Sequence, residues 1–153
     1  MTDGRIRIRR AGPDDAGDVA LLLTQLGYPA TVEDARRRIV DLATEPGVSI
    51  LIAERDGRVA GLATLHVRRV LHDDAPRGQL TALVVAEWAR QQGVGRALVQ
   101  QVEKLAARAG AGQLVVTTAN HRTDAHEFYS RLEYSWTGRR YAKPLSRDHR
   151  EER

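Results

Sequence analysis

Residues 80–102 read Leu80-Thr81-Ala82-Leu83-Val84-Val85-Ala86-Glu87-Trp88-Ala89-Arg90-Gln91-Gln92-Gly93-Val94-Gly95-Arg96-Ala97-Leu98-Val99-Gln100-Gln101-Val102. The first six residues are a short apolar run without alternation. That predicts a strand buried on both faces, near the centre of a sheet. A glycine-bearing loop follows, and then a helix with Leu98, Val102, Leu105 and Ala109 on one face, ending at Gly110. A strand that feeds a loop that feeds a helix aims several backbone N–H groups, and the partial positive charge of the helix end, at one point. Gly93 and Gly95 carry no side chain, so a phosphate can approach the backbone closely. Arg90 and Arg96 add charge on either side. The chemistry expected is a phosphate or diphosphate site. The alternative is that the glycines only permit tight strand-to-helix packing. The segment lacks the Gly-Lys-Ser/Thr ending of a P-loop. It also lacks the third glycine and the first-strand position of a dinucleotide fingerprint.

Upstream, Ile6 and Ile8 alternate with arginines, a half-buried strand pattern. Gly12-Pro13-Asp14-Asp15 opens a helix, with proline and acids suited to a first turn. Val19, Leu22, Leu23 and Leu26 form its apolar stripe, and Gly27-Tyr28-Pro29 ends it. Thr31 is an N-cap with Asp34 three residues on, a weak capping box, for a helix carrying Val32, Ala35, Ile39 and Leu42. Residues 48–54 and 59–70 read as strands joined by an Asp56-Gly57 hairpin turn, and residues 72–78 as a polar loop. Downstream, residues 114–117 read as a buried strand, 124–132 as a helix, and 134–145 as a last extended stretch bent at Gly138. The whole is one mixed α/β domain over residues 1–145, followed by a charged tail, 146–153.

The chain has 153 residues, a length that fits one domain and needs no disulfide or metal staple. It contains no cysteine, which excludes a disulfide scaffold, a zinc-thiolate site, an iron–sulfur cluster and a cysteine nucleophile. The net charge is +4, and Lys104 and Lys143 are the only lysines beside many arginines. Arginine suits phosphate, which it grips in bidentate fashion. The charges are dispersed among carboxylates, and aromatics make up only 5%, so a specific nucleic-acid partner is not expected. No apolar stretch approaches ~18 residues, and Met1-Thr2-Asp3-Gly4-Arg5 lacks the apolar region of a signal peptide. The expectation is a cytoplasmic protein with no membrane partner.

Arg90-Gln91-Gln92-Gly93-Val94-Gly95 resembles the Gln/Arg-x-x-Gly-x-Gly/Ala coenzyme A loop of the GNAT superfamily of N-acetyltransferases. Leu83-Val84-Val85 is similar to the central strand that precedes that loop. Ala125-His126-Glu127-Phe128-Tyr129-Ser130-Arg131-Leu132-Glu133-Tyr134 resembles the family's Ala-x-x-Phe-Tyr-x-x-Leu-Gly-Phe/Tyr helix. The order of strands and helices matches over nearly the whole chain. The resemblance implies an α/β fold with a mixed, mostly antiparallel sheet, splayed between its central strands and flanked by about four helices. It implies that acetyl-CoA lies in the splay as cosubstrate. Leu83, Val84 and Val85 would meet the pantetheine arm or the thioester, Gln91, Gln92, Gly93, Val94, Gly95 and Arg96 the diphosphate, with Arg90 beside it. Asn120 stands like the family asparagine that contacts the pantetheine. The oxyanion would take an N–H from Val84 or Val85.

The reaction so implied is direct attack of a primary amine on the thioester carbonyl. Tyr129 is the candidate general acid for the departing sulfur, since a phenol is a weaker acid than a thiol and can still protonate a thiolate; its plain alternative is a core aromatic on a helix stripe. The amine must shed a proton, at about 4.6 kcal/mol for a lysine-like group near pH 7. Many relatives carry a glutamate early in the central strand, where this chain has Thr81. His66, His72, Asp73, Asp74 and Glu127 are the remaining candidates, and His72 has a suitable unperturbed pKa. Tyr28 and Trp136 are candidate walls of the acceptor pocket, for a small-molecule or peptide amine. His121 and His126 have no metal-ligand spacing, so no metal is expected. Glu133 replaces the family's glycine, so the helix end is expected to be built differently. A homodimer is compatible with the fold. The rivals are a non-catalytic acyl-CoA-binding or regulatory module, motivated by the missing glutamate, and a small arginine-rich nucleic-acid binder.

Overall fold

The structure, a computed structural model, describes residues 5–117, 123–138 and 140–146. It has two compact units, residues 1–117 and 118–153. The first holds a five-stranded sheet in the order β1-β2-β3-β4-β5. These strands are β1 (Ile6–Arg10), β2 (Val48–Arg55), β3 (Arg58–Arg68), β4 (Arg77–Val85) and β5 (Leu114–Val116). The first three pairings are antiparallel and β4–β5 is parallel. The helices of this unit are α1 (Ala16–Leu26), α2 (Val32–Ala43) and α3 (Val94–Arg108). The second unit holds α4 (Thr123–Arg131).

Local chemistry accounts for the boundaries. Thr31 Oγ1 accepts from the Asp34 N–H at 3.0 Å and Asp34 accepts from the Thr31 N–H, so the capping box forms. Asp56 and Gly57 both have positive φ, 53° and 77°, as a two-residue hairpin turn requires. The segment at Pro13–Asp15 is a 3-10 turn rather than the start of α1. It is held by Asp15, which accepts from the Gly12 N–H at 2.8 Å and from both terminal nitrogens of Arg9 at 2.8 Å. Arg9 Nε also donates to Glu54 at 2.6 Å, tying β1 and β2 to the entry of α1.

The core fills with Ile52, Leu65, Leu98, Val94, Val99 and Val102, each essentially fully buried. Leu98 and Val94 reach the sheet because β3 carries Gly61, where a Cβ would come within 3.0 Å of both. Two expectations change. β4 begins at Arg77, inside the expected polar loop, because Arg77, Gly78 and Gln79 pair with Arg68, Val67 and His66 of β3; Gly78 lies beneath Ala106 of α3, 3.2 Å from where a Cβ would lie. The expected last strand is not one: residues 134–138 and 140–146 join no sheet among the described residues. Most of their side chains are exposed, and Pro144 has no N–H to give a ladder.

Candidate active site

Among the described residues, β4 pairs with β3 along its length but with β5 only at Gly78, Gln79 and Leu80, so the sheet opens there. The β3–β4 register jumps between Thr64–Ala82 and Leu65–Leu80, so Thr81 is an extra, bulged residue. A bulge bends its strand and raises the local twist, and here pairing with β5 ends at the residue before it. In the sequence, the bulge leaves no trace beyond the absence of clean alternation in residues 80–85.

The phase of the ladder identifies the groups on the open edge. The Ala86 N–H bonds to the Ala60 carbonyl at 2.8 Å. Antiparallel alternation then makes Leu62–Val84 a hydrogen-bonded pair, and Gly61–Val85 and Ala63–Leu83 non-bonded pairs. The amide groups of Leu83 and Val85 therefore project from the edge turned away from β3, which no described residue pairs, while the Val84 N–H points to β3. The expectation of an oxyanion donor at Val84 is corrected on this ground. Val84 contributes a buried side chain instead. The Val85 carbonyl already has a partner: Gln25 of α1 donates to it from Nε2 at 2.7 Å. Gln25 had no sequence signal beyond its place on α1.

The strand runs through a 3-10 turn, Glu87–Ala89, into the loop before α3. Gln91 and Gly93 both adopt left-handed backbone, φ 61° and 86°. Gly93 is the N-cap of α3 and offers no side-chain cap. Space above it is open, since a Cβ there would meet nothing within 4 Å. Glycine is favoured at Gly93 for its φ rather than for crowding. The N–H groups of Val94, Gly95 and Arg96 have no carbonyl four residues back inside the helix. They form an anion-receptive end to a helix of 15 residues. The Val94 side chain is buried at 1% exposure, so any ligand meets only its backbone. Gln92 folds onto its own loop, donating from Nε2 to the Trp88 carbonyl at 3.1 Å, and Arg58 lies 4.2 Å over the Trp88 ring. Arg90, Gln91 and Arg96 are exposed.

A cleft of ≈ 740 Å³ opens beside this region, lined by Arg9, Asp15, Gln25, Glu54, Arg58 and Trp88 among others. Arg9 raises no free charge there. Its guanidinium is held protonated even more firmly than usual by Asp15 and Glu54, and it depresses the Asp15 carboxyl below the usual range, with help from the Gly12 N–H. Leu83, Gly93 and Gly95 do not line this cleft.

Tyr129 lies in the second unit, on α4, half-buried with its ring edge-on to Phe128 at 5.1 Å and to Tyr134 at 5.7 Å. Trp136 is 65% exposed and stacks on His126 at 6.0 Å. Tyr28 belongs to the first unit. It is 69% exposed, and its N–H closes the end of α1 on the Leu23 carbonyl at 2.8 Å. Asn120 and His121 lie outside the described residues. His66 is half-buried on β3; His72, Asp73, Asp74 and Glu127 are exposed. Asp73 accepts from the Ala75 N–H at 3.0 Å, and Glu127 lies 4.0 Å from Arg131. Among the described residues, no cluster of histidine and acidic side chains could hold a metal, and no helix is long and apolar enough to cross a membrane.

Comparison with known proteins identifies the family. Residues 20–134 match the model of the Acetyltransferase (GNAT) family. Aminoalkylphosphonate N-acetyltransferase of Salmonella typhimurium is 32% identical over 143 residues, 90% of each chain. Among solved structures, a transcriptional regulator from Bacillus halodurans superposes with a TM-score of 0.85 at 18% identity, covering 92% of this chain and 100% of that one. An aminoglycoside N-acetyltransferase in complex with CoA superposes with a TM-score of 0.81 at 19% identity, covering 92% and 95%. With most of its length inside the family model and nearly all of it aligned to a curated N-acetyltransferase, this chain belongs to the GNAT family and is an N-acetyltransferase.

Proposed function

We propose that the protein transfers the acetyl group of acetyl-CoA to a small primary amine bearing an acidic group, of the aminoalkylphosphonate class. The observation that carries the cosubstrate is the free edge of β4 at Leu83 and Val85, which leads directly to the uncapped start of α3. The pantetheine arm adds to that edge as a strand would, using the Leu83 and Val85 amides. The diphosphate rests on the backbone N–H groups of residues 91–96, with Arg90 and Arg96 beside it. The amine nitrogen attacks the thioester carbon, and the tetrahedral oxyanion takes a hydrogen bond from an edge N–H. The C–S bond then breaks, Tyr129 gives its proton to the departing sulfur, and the proton shed by the new amide nitrogen returns to the phenolate through solvent. The ammonium of the acceptor loses its proton to water or to a residue such as His72, because Thr81 cannot act as a base. Asn120, Tyr28 and Trp136 complete the reading as contacts of the pantetheine and the acceptor. Support for the acceptor class comes from the Salmonella relative, whose substrates are aminoalkylphosphonates.

The test is a panel of amines with acetyl-CoA, following free thiol release and product mass. Thiol release that depends on 2-aminoethylphosphonate, with an acetylated product, is the expected result. A panel in which aminoglycosides or peptide amines react and aminoalkylphosphonates do not would overturn the acceptor class.

A further inference from the structure

We propose that Arg77, together with Arg68, Gln79 and His66, forms the subsite that holds the acidic group of the acceptor; this rests on the acceptor reading above. The β3–β4 register places His66 opposite Gln79 and Arg68 opposite Arg77. Directly opposed residues of an antiparallel pair share a face of the sheet. Gly78 faces α3, since a Cβ there would lie 3.2 Å from Ala106. Its neighbours Arg77 and Gln79 therefore face the other way, and their partners with them. The four side chains stand together on the face opposite α3.

That placement has two unsatisfied features. Two arginines sit directly across a strand pair, an arrangement that repels. The ion pairs among the described residues engage Arg9, Arg36, Arg37 and Arg131, not these two. In addition, Arg77 Nε is buried with no hydrogen-bond partner. A buried donor of a charged group left unpaired is costly, and an anion removes both penalties at once. A tetrahedral phosphonate offers three oxygens to two guanidinium groups and an imidazole, where a carboxylate offers two.

The position suits an acceptor. Val94, Leu98 and Ala106 of α3 pack against the other face of the sheet, so an amine reaches the free edge of β4 from the face that carries these four residues. Gln79 is two residues from the Thr81 bulge, about 7 Å of strand, and Arg77 is about 13 Å away. A long arginine side chain and a short aminoalkyl acid span that interval together.

The experiment compares 2-aminoethylphosphonate with propylamine as acceptors for the wild type, Arg77→Met and Arg68→Gln. In Arg77→Met the ratio of kcat/KM for the phosphonate to that for propylamine should fall about 10- to 100-fold, through KM. Arg68→Gln should lower the same ratio by a smaller factor, and being an exposed change it carries the test if Arg77→Met does not fold. Unchanged ratios in folded variants would overturn the subsite. A ³¹P NMR titration with methylphosphonate separates the two readings. Line broadening on the wild type that Arg77→Met abolishes supports the subsite even where no amine is acetylated. Turnover of simple amines with no broadening on the wild type sinks the subsite and leaves acetyl transfer standing.

Discussion

Tyr129 and Glu133 sit four residues apart at the end of α4, and each tests a different idea. Replacing Tyr129 by Phe keeps the ring that packs on Phe128 and Tyr134, so stability should change little. If the hydroxyl protonates the leaving thiolate, turnover should fall roughly 10²- to 10⁴-fold, and the high-pH limb of the rate profile should vanish. Full turnover with an unaltered profile would return Tyr129 to the role of a packing aromatic. Glu133 corrects an expectation. The helix end is not built differently for lack of glycine: Glu133 itself adopts φ 70°, and its N–H reaches the Ser130 carbonyl while that of Tyr134 reaches Tyr129. A side chain in left-handed backbone costs roughly 1 kcal/mol. Glu133→Gly should therefore stabilise the protein by about 1 kcal/mol in urea unfolding; a lower midpoint would argue that the glutamate makes a compensating contact.

At the scale of elements, β4 and the entry to α1 make opposite kinds of prediction. The ladder phase assigns the Val84 N–H to β3 and the Leu83 and Val85 amides to the open edge. Hydrogen exchange should accordingly be slow at Val84 with or without acetyl-CoA, and fast at Leu83 and Val85 until acetyl-CoA is added. Protection that leaves Leu83 and Val85 unchanged would remove the pantetheine from this edge. The Arg9–Asp15–Glu54 cluster concerns stability alone. Hydrogen bonds from Arg9, then from the Gly12 N–H, hold the Asp15 carboxyl below its ordinary value. A carboxyl depressed in the folded state contributes stability that is present above its unfolded value near 4, and that is lost as pH falls through the lower folded value. Asp15→Asn should lower the urea midpoint at pH 7 and flatten its decline below about pH 4. A variant that declines as steeply as the wild type would place the acid sensitivity elsewhere.

For the whole molecule, the positive charge is dispersed: the net charge is +4, and Arg9, Arg36 and Arg37 are engaged in ion pairs with Asp15, Glu33, Asp34 and Glu54. Duplex DNA at physiological salt should bind weakly and without sequence preference, and submicromolar selective binding would reverse that conclusion. What the sequence determined by itself was local. Thr31 and Asp34 define a capping box, Asp56-Gly57 a hairpin turn, residues 80–85 a central strand, and residues 90–96 a glycine-bearing loop that opens a helix. Each follows from the dihedral and hydrogen-bonding habits of a few adjacent residues, so each is legible without the fold. The strand expected at residues 134–145 failed for the complementary reason: a strand is defined by a partner edge, which no stretch of sequence contains. The bulge at Thr81, the edge-facing amides of Leu83 and Val85, the Gln25 bond to Val85, and the facing of Arg68 on Arg77 are register properties. They depend on which residue of β3 meets which residue of β4, and a slip of one position would turn every one of those side chains to the other face. Only the tertiary structure fixes that pairing.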